Sequence, residues 1–141
     1  MTTAYMLDTN ICSYIMRKQP ASLLQTLQLH SDKRDSILIS AITYAELRFG
    51  AIGRKASPKH NLIVDEFVER VDHVLPYDKS AVERTAELRQ YLAGKGTPIG
   101  ANDSMIAGNA LAADCILVTN NTREFCRVPG LIVENWVEVS V

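Results

Sequence analysis

Every run in this chain that reads as a strand is short and apolar at consecutive positions: Ala4 to Leu7, Ile37-Leu38-Ile39, Val74-Leu75-Pro76, Ile116-Leu117-Val118 and Leu131-Ile132-Val133. A strand with one wet face alternates polar and apolar residues. A continuous apolar run is instead buried on both faces, as in a parallel sheet covered above and below. The segments between these runs carry helical spacing: Ile11 to the residue before Pro20, Ala21 to Leu29, Thr43 to Gly50 or Gly53, Asn61 to Val71, Lys79 to Ala93, and Ser104 to Ala113. His30 to Ser36 reads as a loop, Asn120 to Phe125 as a turn or short helix, and Trp136 as a residue packed on the core. Strands alternate with helices, and there is no internal repeat or linker. The 141 residues are 47% hydrophobic, enough for a real core. The expectation is an α/β fold in one domain over residues 1–141, its central parallel sheet of four to five short strands flanked by helices on both faces.

In an open α/β sheet the site lies beyond the carboxyl ends of the strands. Asp8 stands there after the first strand, and Glu46 follows the second within a few residues. Asp103 opens the helix that precedes the fourth, and Thr119, Asn120, Asn121 and Glu124 come after it. These are oxygen ligands with no histidine or cysteine among them, a set suited to Mg²⁺, or alternatively Mn²⁺. Gathered carboxylates repel one another, and a divalent cation relieves that repulsion.

Each residue also has a plainer reading. Asp8 can cap the first helix, as can Thr9 or Asn10. Glu46, three residues after Thr43, fits a capping box. Asp103 in a first helical turn suits the macrodipole, and Asn121 and Glu124 suit a turn. Taken singly these residues leave both readings open; the functional one rests on their meeting at one sheet edge.

Composition removes other classes. Net charge is −1, so there is no global basic signature for nucleic acid. Cys12, Cys115 and Cys126 form no metal or disulfide pattern and read as reduced thiols. No signal peptide opens the chain and no run spans a membrane, so a cytoplasmic protein is expected. His30, His60 and His73 lie in polar contexts and read as solvated. No GxGxxG follows the first strand and no GxxxxGK[ST] occurs, which removes dinucleotide and P-loop folds. A haloacid-dehalogenase-type phosphotransferase would have a second Asp at position 10, where Asn10 stands. A receiver domain would have an adjacent acidic pair, and Asp8 is alone.

Met6-Leu7-Asp8-Thr9-Asn10, Ser40 to Leu47, Pro98 to Asp103 with Ile106-Ala107, Val118-Thr119-Asn120-Asn121 and Arg123-Glu124-Phe125 together resemble the PIN-domain family. More narrowly they resemble its VapC branch, the toxins of type II toxin–antitoxin pairs. The resemblance runs in the right order over nearly the whole chain. It implies a Mg²⁺- or Mn²⁺-dependent endoribonuclease neutralised by a VapB antitoxin. Asp8, Glu46 and Asp103 match the family's three firmest acidic positions; Asp8 and Asp103 would hold the metal directly, and Glu46 directly or through water. Thr9, Asn10 and Thr119 would hold the carboxylates in place. The fourth acidic position falls on Asn121, a departure, with Glu124 about one turn on as the other source of charge. The ending Thr-Asn-Asn…Arg-Glu-Phe is similar to enteric-type members, which cut initiator tRNA in the anticodon stem-loop. A homodimer is implied, with an antitoxin segment in an acidic groove that the second helix and the Asn61 to Val71 helix could line. RNA would meet a local basic strip drawn from Arg48, Arg54, Lys55, Lys95 and Arg123. Two other readings stand beside this one: a PIN nuclease of RNA processing or repair, and a PIN-like module that has lost a ligand at Asn121 and binds RNA or a partner without cutting.

Overall fold

The computed structural model describes residues 3–137. Five strands form its sheet: β1 (Ala4–Leu7), β2 (Ser36–Ser40), β3 (His73–Leu75), β4 (Ile116–Val118) and β5 (Val133–Glu134). All neighbours are parallel, in the order β3-β2-β1-β4-β5. The chain connects them through α1 (Thr9–Met16), α2 (Ala21–Asp32), α3 (Ala41–Ala51), α4 (Pro58–Arg70), α5 (Lys79–Gly94), α6 (Ala101–Ala112) and α7 (Thr122–Phe125).

The apolar strands divide their side chains between two cores, as a two-unit strand period requires. Tyr5, Leu7, Ile37, Ile39 and Val118 pack with Ile11, Leu23, Leu47, Val64 and Phe67, from α1 to α4. Met6, Leu38 and Leu117 point the other way, onto Leu88, Leu92, Ile106, Ala107 and Ala110 of α5 and α6. Both faces are therefore covered, and the α/β expectation holds. Trp136 is buried in the first core, as its position in the sequence suggested.

Several boundaries differ from the sequence reading: α1 begins at Thr9, α3 at Ala41 and α6 at Ala101, each two or three residues before the expected start. The last strand is Val133–Glu134 and not Leu131 to Val133, because pairing with Leu117 and Val118 begins only at Val133. Helix α4 starts at Pro58, a residue favoured at a first helical position, rather than at Asn61. Helix α2 continues to Asp32, through the first three residues of the expected loop.

One close approach sets where α6 sits. A Cβ at Gly108 would lie 1.9 Å from Thr85 Oγ1 and 2.8 Å from the Thr85 backbone nitrogen. Only glycine lets α6 press this tightly on α5. Thr85 donates to the Ala81 carbonyl (2.7 Å) and accepts from the Tyr77 hydroxyl (2.8 Å), so the contact has little room to give. The first turn of α6, which carries Asp103, is positioned by it.

Among the described residues no helix is long and apolar enough to cross a membrane.

Candidate active site

Successive strands step from β1 outward to β3, and the chain then returns to place β4 on the other side of β1. The loops leaving β1 and β4 consequently part in opposite directions and open a crevice between the two carboxyl ends. Asp8 directly follows β1 and Thr119 directly follows β4. The Thr119 hydroxyl donates across the crevice to Asp8 Oδ2 at 2.5 Å.

Asp8 is only 5% exposed. Its Oδ1 accepts the Ile11 backbone N–H at 2.9 Å, so Asp8 itself is the cap of α1. Of the three caps the sequence allowed, Asp8 is the one used, and Thr9 and Asn10 lie inside the helix. The same geometry dissolves the choice between cap and site residue: one oxygen caps, the other meets Thr119, and an sp² carboxylate oxygen has a lone pair left after one hydrogen bond. Burial raises the Asp8 pKa most, the two hydrogen bonds lower it, and the charges of Asp103 and Glu46 raise it further, leaving it above the ordinary carboxylate value.

The capping-box reading of Glu46 fails. Helix α3 begins at Ala41, and the cap is Ser40, whose hydroxyl accepts the Ile42 N–H at 3.0 Å. Thr43 is therefore inside the helix, buried, and Glu46 lies a turn further on. Glu46 Oε1 instead accepts from the Thr9 hydroxyl at 2.8 Å, which ties α3 to the start of α1.

Asp103 lies in the first turn of α6, as expected, and the macrodipole favours an acid there. Even so its pKa is raised, first by burial and then by the charges of Glu124 and Glu46. Asn121 caps the four-residue α7 and Glu124 sits within it; the Asn121 amide donates to Glu124 Oε2 at 2.9 Å. Asp8, Glu46, Asp103, Asn121 and Glu124 are thus connected, through hydrogen bonds or mutual repulsion, around the β1–β4 crevice. Among the described residues, the charges acting on Asp8 and Asp103 are those of other acids.

Among the described residues no three Asp, Glu, His or Cys side chains are gathered tightly enough to enclose a metal ion unaided. The donor set nevertheless fits a hard divalent cation: it is all oxygen, it is partly buried, and its charges repel one another.

Two other sequence expectations change. Arg48 is not free to meet phosphate. It pairs with Asp65, donates to the Asn61 side chain at 2.5 Å, and donates to the Tyr44 hydroxyl at 3.0 Å. Arg54, Lys55, Lys95 and Arg123 remain exposed. His30 is not solvated. Its ring stacks on Trp136 with centroids 4.7 Å apart, lies 4.5 Å from the Tyr5 ring, and bonds Asp35 at 2.9 Å. His60 and His73 are exposed. Helices α2 and α4 do line one groove, of about 1010 Å³, with Leu24, Leu27, Ile63 and Phe67 in its wall. None of the five candidate residues lines it, and its acids, Asp35, Glu66 and Asp72, are offset by Lys18, Arg34 and Arg70. The sequence reading missed the Asn121–Glu124 contact, although their three-residue spacing at a helix start was visible.

Comparison with known proteins agrees with this architecture. The PIN domain model matches residues 5–131. A tRNA(fMet)-specific endonuclease VapC of Shigella flexneri is 44% identical over 133 residues, covering 94% of this chain and 97% of that protein. The crystal structure of VapBC2 from Rickettsia felis, bound to a DNA fragment from their promoter, contains a chain that superposes with a TM-score of 0.88 at 40% identity, covering 95% of this chain and 99% of that one. DNA-bound VapBC from Salmonella typhimurium gives 0.86 at 38%, covering 96% and 99%. The chain belongs to the PIN-domain family, and within it to the VapC proteins.

Proposed function

We propose that this chain is the toxin of a VapBC-type toxin–antitoxin pair, a cytoplasmic endoribonuclease that hydrolyses a tRNA phosphodiester. Its substrate is initiator tRNA, cut in the anticodon stem-loop, and residues 1–141 act as one PIN domain. The observation that carries the reading is the meeting of four acids, Asp8, Glu46, Asp103 and Glu124, at the β1–β4 crevice, where the charges acting on the two aspartates are, among the described residues, those of other acids. The identity of the Shigella relative supports the substrate.

Asp8 and Asp103 would hold Mg²⁺, or Mn²⁺ in its place, and Glu46 would hold it directly or through water. Such an ion would supply Lewis-acid activation of water and of the phosphodiester for a hydrolysis that leaves 5′-phosphate and 3′-hydroxyl ends. The rest belongs to the chain. Thr119 fixes one Asp8 oxygen by donating to it, and the Ile11 N–H fixes the other. Thr9 orients Glu46. Leu7 and Val118, both fully buried, form a dry floor that strengthens every charge interaction above it. Asn121 and Glu124 complete the far side.

The partners are a VapB-type antitoxin and a second copy of the chain. The apolar wall and charged rim of the α2–α4 groove suit an antitoxin segment.

The test is direct. Protein freed of antitoxin, given Mg²⁺ or Mn²⁺ and tRNA, is compared with Asp8→Ala and Asp103→Ala. Cleavage is expected from the wild type alone and is abolished by EDTA. Cleavage that survives EDTA or both substitutions rejects the reading. Expression of the gene alone should arrest growth, and co-expression with its antitoxin should restore it.

A further inference from the structure

We propose that Asn121 is a positioning residue: its side-chain amide holds the Glu124 carboxylate in the site, so the fourth negative charge comes from position 124 and not from 121. The inference rests on the metal-centred reading above and divides the labour between its two unresolved residues.

Asn121 caps α7, yet its side chain accepts no N–H from that helix. An asparagine at a cap ordinarily works through its oxygen as an acceptor. Here the amide nitrogen is used as a donor, toward Glu124 Oε2 at 2.9 Å. The Asn121 backbone N–H donates to Thr119 Oγ1 at 2.9 Å, and that hydroxyl donates on to Asp8 Oδ2. An unbroken chain of contacts therefore runs from Asp8 through Thr119 and Asn121 to Glu124. Glu124 in turn lies near enough to Asp103 for the two carboxylates to repel. A glutamate in a four-residue helix has many rotamers, and most of them lead to solvent. The amide selects one of them.

The chemistry makes the acid at 121 the wrong residue for this chain. Aspartate there has the same shape but no N–H. It would set a second negative charge at hydrogen-bond distance from Glu124 and turn that side chain away. Adding charge at 121 thus removes charge from the crevice.

The experiment is Mn²⁺ titration by calorimetry on antitoxin-free protein, with thermal unfolding of the metal-free form alongside. Asn121→Ala should weaken Mn²⁺ binding about tenfold, the lower end of what outer contacts contribute to metal affinity. Asn121→Asp should weaken it at least as much, despite the added acid. In the Glu124→Gln background, Asn121→Ala should have almost no further effect, since the two act as one unit. A merely structural role for Asn121 would instead lower Tm and add fully to Glu124→Gln. Tighter Mn²⁺ binding by Asn121→Asp than by wild type overturns the inference, as does an equal cost of Asn121→Ala in both backgrounds. Asp103→Asn separates the two levels of failure. Wild type that binds Mn²⁺ no better than Asp103→Asn overturns the metal reading and this inference together. Strong wild-type binding with either adverse result at 121 overturns the inference alone.

Discussion

The two ends of the sheet treat carboxylates in opposite ways. At the amino end Asp35, just before β2, bonds the His30 imidazole at 2.9 Å and accepts the Thr3 N–H at 3.2 Å. The His30 hydrogen bond holds its pKa below the ordinary value. At the carboxyl end Asp8 is buried and Asp103 half-buried, both near other acids, and both pKa values are raised. One end supplies its acid with a partner that welcomes the charge; the other assembles charge without a counter-ion. The first arrangement stabilises a fold. The second costs stability until a cation arrives, which is what a metal-dependent site requires.

The strongest way to break the contrast is to neutralise the carboxyl end. Asp103→Asn should cut turnover about a thousandfold, since metal assistance contributes several kcal/mol to the barrier. The same variant should not lose Tm in its metal-free form, and a small rise is expected as repulsion with Glu46 and Glu124 disappears. A large loss of Tm with activity retained would mean that Asp103 is structural.

Thr119→Val tests the crevice-spanning contact. It removes the donor to Asp8 and the acceptor for the Asn121 N–H, leaving buried polar atoms unmet. A loss of about 1–3 kcal/mol in denaturant unfolding is expected, with weaker Mn²⁺ binding. Unchanged metal affinity would show that Asp8 needs no such support.

The pH dependence of metal-free stability should carry opposite signs at the two ends. The folded pKa values of Asp8 and Asp103 are raised, so the folded state binds more protons there than the unfolded state. Their contribution to stability falls as pH rises from the ordinary carboxylate value through the raised folded value. Asp35, with a lowered folded pKa, contributes fully above the ordinary value and loses that contribution as pH falls through the lowered one. Saturating Mn²⁺ should remove the first trend and leave the second. Thermal melts across the acidic range, with and without Mn²⁺, measure both. The smallest effect belongs to Asp35→Asn, which should lower Tm slightly and leave Mn²⁺ affinity as in wild type. A changed affinity would mean that the two ends are not independent.

The same contrast explains what could be read from the sequence. Strands buried on both faces announce themselves as unbroken apolar runs, so β1, β2 and β4 were visible, and with them the sheet edge that carries Asp8. The acids followed from their places near the strand ends together with the family resemblance. What escaped was pairing. Nothing local to His30 says that Trp136 lies over it, and nothing local to Arg48 says that Asp65 faces it. His30 had looked solvated and Arg48 free to meet RNA because their partners sit on other elements. Glu46 misled for a different reason: Thr43 has the right spacing for a capping box, but Ser40 takes the cap three residues earlier.

The hydrogen bond between Asp8 and Thr119 joins residues 111 apart in the chain. During synthesis Asp8, Glu46 and Asp103 are made well before β4, so for most of that time the carboxylate that anchors the crevice has no strand to set it. Closing so long a loop comes late in folding, after the local helices have formed. The crevice between β1 and β4 is therefore complete only once β4 has been made and has paired with β1.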